Sequence, residues 1–194
     1  MIVKVGKLKH IFFVTGSPGI GKTTILLKTA EALEKKGYKI GGMLSCEARE
    51  KGARVGFEII DIETKRRGWL AHVRQSSGPQ VGKYRVNLVN LEAIGALAIR
   101  NAVVNAQIVI IDEIGPMELH SSAFKEAVEA ALGSGKPVIG VIHERAKDSL
   151  INEIRKRDDA QIIQVTRGNR ERIHSLLIEK VNQLLREKRQ NSQQ

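Results

Sequence analysis

Cysteine is almost missing from this chain. Cys46 stands alone, which excludes an internal disulfide and a cysteine-ligated zinc site. A single thiol fits a reducing, cytoplasmic setting. Aromatic residues are scarce as well: one Trp, two Tyr and four Phe supply few of the ring platforms on which single-stranded nucleic acid stacks. No apolar run is long enough to span a bilayer. Met1-Ile2-Val3-Lys4 lacks the apolar stretch of a signal peptide. Acidic residues are in deficit, with 21 Asp and Glu against 32 Lys and Arg, a formal charge of +11. The basic clusters at Lys65-Arg66-Arg67, Arg155-Lys156-Arg157 and Arg186-Glu187-Lys188-Arg189 are scattered along the chain. They read as solvated surface with an attraction for polyphosphate, and nucleic acid is the less favoured partner.

What is present begins with Gly16-Ser17-Pro18-Gly19-Ile20-Gly21-Lys22-Thr23, the spacing of a phosphate-binding P-loop. The apolar run 11–15 before it reads as a buried strand. A helix over 22–36 follows, with Ile25, Leu26, Thr29, Ala30 and Leu33 on one face. The glycines let backbone N–H groups turn inward around anionic oxygens. The helix start adds unpaired amides and the positive end of its dipole. Lys22 is then expected on the β- and γ-phosphates, Thr23 on Mg²⁺ and Thr24 near the α-phosphate.

Ile108-Val109-Ile110-Ile111-Asp112-Glu113 supplies the second half of the site. The apolar strand carries Asp112 to the sheet's carboxyl edge as a Mg²⁺ ligand. Glu113 follows as the group that orients and deprotonates water, a role suited to hydrolysis rather than transfer to an acceptor. Arg49, Arg54 and Arg145 are candidates to stabilise charge on the transferred phosphoryl group. His143 and Glu118 are further polar candidates, the latter as a polar contact or a helix-start charge. Trp69 reads as a packing residue. Base contacts are expected from Thr166-Arg167-Gly168-Asn169, and nothing there dictates one base.

Strands alternating with helices imply an α/β fold of three layers, a mostly parallel sheet between helices. Strands are expected at 40–45, 107–111, 137–142 and 161–165. Helices are expected from Asn90 to Val104, then at 119–132, 148–156 and 170–187. Strands at 54–62, 68–74 and 84–89, with a loop at 76–83, form a β-hairpin insertion spanning 46–88. The whole chain, 1–194, is expected to be a single domain. Residues 1–9 are a lead-in or edge strand, and 188–194 a basic polar tail.

Four stretches occur in the order seen in one known family. They are the P-loop through Thr24, Glu47-x-Arg49-x-x-Gly52-x-Arg54-x-Gly56-Phe57, Val81-Gly82-x-Tyr84-x-Val86, and Asp112-Glu113-Ile114-Gly115-x-Met117-Glu118. Over roughly residues 10–187 the chain resembles the thermophile-type nucleoside-triphosphatases, which include the cancer-related nucleoside-triphosphatase of animals. The resemblance implies a slow Mg²⁺-dependent hydrolase acting on ATP, GTP, CTP and UTP, yielding nucleoside diphosphate and phosphate. It implies a P-loop fold with an extra strand between the two motif-bearing strands. It carries over Lys22, Thr23, Asp112 and Glu113, and its motif covers Arg49 and Arg54. A nucleotide or small-molecule kinase, with an acceptor held by 46–88, and an RNA-linked NTPase stay open as alternatives.

Overall fold

A computed structural model describes residues 8–191. Most of the lead-in and the last three residues lie outside that range. Five parallel strands form the centre: β1 (Ile11–Thr15), β2 (Ile40–Glu50), β7 (Ile108–Ile114), β8 (Val138–Ile142) and β9 (Ala160–Gln164). Four more extend it: β3 (Ala53–Asp61), β4 (Arg67–His72), β5 (Gln80–Val81) and β6 (Tyr84–Val86). Together they make one open mixed sheet in the order β5-β6-β4-β3-β2-β7-β8-β1-β9. β8 lies between β1 and β7, so the extra strand implied by the resemblance is present.

Alternation along the central strands sorts side chains into two cores. In β7, Ile108 and Ile110 join one cluster, with Ile25, Leu26 and Leu33 of α1 (Lys22–Lys35) and Ile173, Leu177 and Val181 of the last helix. Val109 and Ile111 join the other. There they meet α3 (Leu97–Asn105), α4 (Ser122–Gly133) and α5 (Ser149–Lys156). Phe12 and Phe13, consecutive in β1, point into opposite layers and are both buried. Each such side chain contributes roughly 1.5–3 kcal/mol.

The chain differs from its sequence reading in five places. β2 does not stop at residue 45. It runs to Glu50 and turns through Lys51 (φ 47°) and Gly52 (φ 82°) into β3. Two central residues with positive φ suit the twist of a two-residue hairpin. The 46–88 segment therefore extends the same sheet as a meander through β3, β4, β6 and β5. The loop expected at 76–83 holds β5, which pairs with β6.

The helix expected from Asn90 begins three residues earlier. Asn87 is the cap, accepting from the Asn90 amide at 3.0 Å. The Asn90 side chain is spent on the Trp69 carbonyl at 3.1 Å. The segment runs as α2 (Leu88–Asn90), a π-helical stretch (Leu91–Ala96) and α3, burying Leu91, Ile94, Ala98 and Ala102 as expected. At 118–120 a 3₁₀ turn precedes α4, whose cap is Ser121. The final helix, α6 (Arg170–Asn191), continues through the first residues of the expected tail. Lys188 Nζ donates to the Gly135 carbonyl there.

Candidate active site

The P-loop leaves β1 at the carboxyl edge of the sheet, where ligands of parallel α/β sheets bind. Gly19 and Gly21 hold φ of 75° and 107°, a region that penalises any side chain. A Cβ at either position would meet nothing within 4 Å, so it is the backbone angle and not space that calls for glycine there. Gly21 caps α1 with no side-chain bond, and the first-turn amides stay directed at the loop. Lys22 folds back across the loop, donating from Nζ to the carbonyls of Gly16 at 2.9 Å and Ser17 at 3.3 Å.

Asp112 sits at the end of β7, where strand alternation turns it toward α1 and the loop. It is fully buried, and neither carboxylate oxygen has a hydrogen-bond partner among the described residues. Burial, then the charge of Glu113, pushes its pKa up to about 7. The Thr23 hydroxyl, Lys22 and the Ser45 backbone pull the other way, within polarising reach but outside hydrogen-bond geometry. An orphaned buried carboxylate is costly, and it is what a hard cation relieves. Thr23 and Asp112 thus fit a hard cation such as Mg²⁺. No group of three or more His, Cys, Asp or Glu that could hold a metal occurs among the described residues.

Glu113 follows across a cis peptide and is half-buried. Gly115 allows the chain to turn there. A Cβ on it would lie 3.2 Å from Glu113 Oε1, 3.2 Å from Glu118 Oε2 and 3.4 Å from the Cβ of His143. Three sequence candidates therefore converge on one turn. Glu118 proves to be a buried polar contact rather than a helix-start charge: its Oε2 accepts the Gly115 amide at 3.1 Å. Burial first, then Glu113 and more weakly Asp112, pushes its carboxyl up to about 8. His143 follows β8. Its amide donates to the Ile114 carbonyl at 3.0 Å, and its Nδ1 accepts from the Arg145 amide at 3.2 Å.

Arg49 and Arg54 lie elsewhere, on the β2–β3 ribbon. Arg49 donates to Glu47 Oε1 at 2.6 Å and to the Gly52 carbonyl at 2.9 Å. Arg54 donates to Glu47 Oε2 at 2.8 Å and to the Tyr84 hydroxyl at 2.9 Å, over the Phe57 and Tyr84 rings. Those two bonds raise the pKa of the guanidinium, the one from Tyr84 more. Phe57 and Tyr84 belong to the core on the α3 side, so Arg54 occupies the ribbon face turned away from α1. Glu47, which organises both arginines, was not singled out by sequence reading. Its signal was the Glu47-x-Arg49 spacing, which places both side chains on one strand face.

In the loop after β9, Asn169 spends both ends of its amide. Oδ1 accepts the Thr166 amide at 2.8 Å and Nδ2 donates to the Gln164 carbonyl at 2.9 Å.

A family model described as NTPase matches residues 11–178. Nucleoside-triphosphatase THEP1 of Thermofilum pendens is 49% identical over 175 residues, 90% of this chain and 96% of that protein. Nucleoside-triphosphatase THEP1 of Methanopyrus kandleri is 42% identical over 93% of this chain and all of that one. The crystal structure of THEP1 from the hyperthermophile Aquifex aeolicus superposes with a TM-score of 0.77 at 29% identity, covering 88% of this chain and 98% of that one. The solution structure of a human cancer-related nucleoside triphosphatase gives 0.71 at 34% identity, covering 90% and 96%.

Proposed function

The chain belongs to the NTPase family, and from that membership we propose that it hydrolyses nucleoside 5′-triphosphates to nucleoside diphosphate and phosphate, slowly, with Mg²⁺ and without strong base preference. The observation that carries this reading is Asp112, buried beside Thr23 and Lys22 with both oxygens unpartnered.

The loop amides and Lys22 bind the β- and γ-phosphates, with Ser17, Pro18 and Ile20 shaping the loop and Thr24 beside the α-phosphate. Lys22 exchanges its two loop carbonyls for phosphate oxygens, trading neutral acceptors for charged ones. Thr23 and Asp112 would hold Mg²⁺, which would supply charge neutralisation to the phosphates. Glu113 orients a water on the far side of the γ-phosphorus and takes its proton as the new P–O bond forms. The bond to the β-phosphate oxygen breaks, and that oxygen leaves on the diphosphate. Glu118 holds the Gly115 amide and so fixes the turn that carries Glu113.

Slow turnover is supported by the two arginines of the β2–β3 ribbon. A guanidinium aimed at the γ-phosphate is worth on the order of 10³–10⁵ in rate, yet Arg49 and Arg54 are committed to Glu47. Both lie on the ribbon face that carries Phe57, turned away from α1. Broad base preference is supported by the loop after β9, where Asn169 spends its amide internally. A cytoplasmic setting accords with the lone thiol, and no helix among the described residues is long and apolar enough to cross a membrane. Phosphate release from ATP, GTP, CTP and UTP, with Mg²⁺ and with excess chelator, tests the reading. Comparable rates for several nucleotides, lost with chelator, support it. Activity on one base alone, or unaffected by chelator, contradicts it.

A further inference from the structure

The β2–β3–β4 ribbon has two faces, and they are treated differently. Ile59, Phe57, Leu70 and Ala71 turn toward the α3 side and pack there. The main helical packing that β3 and β4 receive comes from the π-helical stretch and α2, on that side. Gly68 marks the closeness, since a Cβ on it would meet Ile94 Cδ1 at 2.7 Å and Asn90 Nδ2 at 2.8 Å.

The other face continues the surface on which Asp112 and the P-loop lie. Strand alternation and pairing put Leu44, Cys46 and Ala48 of β2, Gly56, Glu58 and Ile60 of β3, and Arg67, Trp69 and His72 of β4 on it. Cys46 pairs with Glu58, and Glu58 with Trp69, forming one row across three strands. Cys46 Sγ donates to Glu58 Oε2 at 3.7 Å, and Arg67 Nη1 lies 3.7 Å from the same oxygen. Both contacts are long and both fall on Oε2. The Trp69 and His72 rings sit 4.4 Å apart at 57°. Trp69, read from sequence as packing, thus lies half-buried on the face opposite the π-helical stretch and α2, which give β3 and β4 their main helical packing among the described residues.

β2 is the neighbour of β7, so the Cys46 end of the row lies one strand from the strand that carries Asp112. The far end lies three strand spacings from β7, about 14 Å. Glu58 lies between the ends, and the adjacent row on the same face is Ala48, Gly56 and His72, two of them small. An aromatic pair, a carboxylate and neighbouring small residues on one face are the components of a site for a planar heterocycle.

From this juxtaposition we infer that the P-loop face of β2–β3–β4 is a second ligand site, distinct from the triphosphate site, that takes a nucleoside. The base stacks on Trp69 with the tilted His72 ring beside it, and donates an amino or ring N–H group to Glu58. The ribose lies over Cys46 and Ala48, toward Asp112. Binding there needs no phosphate and does not depend on hydrolysis.

Trp69 is the chain's one tryptophan, so intrinsic fluorescence reads this site directly. Guanosine, adenosine, cytidine and base-free ribose are titrated into wild type, Lys22→Ala and Glu58→Gln, with phosphate release measured on the same preparations. The expected result is saturable quenching by the nucleosides and none by ribose. Lys22→Ala leaves the quenching unchanged while removing hydrolysis. Glu58→Gln weakens nucleoside binding about tenfold, the loss of one charged hydrogen-bond partner, and leaves hydrolysis unchanged. Equilibrium dialysis of labelled nucleoside against His72→Ala gives a second measure, expected to show weakened binding. Purely linear quenching, equal affinity in Glu58→Gln, or loss of quenching in Lys22→Ala overturns the inference. Failure of the hydrolysis reading would appear separately, as absent phosphate release from wild type with nucleoside quenching intact.

Discussion

Replacing Glu118 with Gln should make the metal-free protein more stable at alkaline pH. The side chain is 5% exposed and its carboxyl is pushed from 4.5 up to about 8, by burial first and by Glu113 next. A carboxyl whose folded pKa is raised binds its proton more tightly in the native state. Its contribution to stability is therefore fully present below pH 4.5 and is lost as pH rises through 8. The slope across that window is about 1.4 kcal/mol per pH unit, and the total loss is on the order of 5 kcal/mol. A glutamine in its place cannot ionise, yet its amide oxygen can still accept the Gly115 amide now held by Glu118 at 3.1 Å. Urea unfolding of wild type and Glu118→Gln at pH 5 and pH 8, with chelator and without nucleotide, measures the difference. The variant should gain several kcal/mol on wild type between the two pH values. Parallel pH dependence of the two proteins would refute the burial argument.

Asp112→Asn should show a trade-off: higher unfolding stability at pH 8 without metal, because an unpartnered buried charge is removed, and a loss of hydrolysis of about a hundredfold or more. Calorimetry beside a phosphate-release assay reads both. Asn87→Ala should lower stability by about 1 kcal/mol through the lost cap, measured as a downward shift in Tm with hydrolysis intact.

The parts legible in the sequence are those set by local chemistry. The P-loop, the apolar strand before Asp112 and the buried stripe of α1 need only spacing and periodicity. The end of β2 was harder, because nothing in Ser45-Cys46-Glu47 breaks a strand. The Lys51-Gly52 pair was the available signal, weaker than Asn-Gly since Lys tolerates positive φ poorly. Asn87 and Asn90 are equally good caps by composition. The choice falls to Asn87 because β4 offers Asn90 the Trp69 carbonyl, a contact between segments far apart in sequence. The binding of both arginines by Glu47, and the face bearing Trp69, depend on which side of the ribbon receives its main helical packing. Strand alternation alone does not encode that side.

The central claim is that Glu113 activates water on a triphosphate held by Lys22 and the P-loop. The most direct measurement is phosphate release from ATP and GTP with Mg²⁺ and no acceptor, for wild type, Glu113→Gln and Lys22→Ala, with nucleotide binding measured alongside. The account predicts turnover by wild type, nucleotide binding with turnover reduced at least about a hundredfold in Glu113→Gln, and loss of binding in Lys22→Ala. Turnover by Glu113→Gln equal to wild type would contradict it.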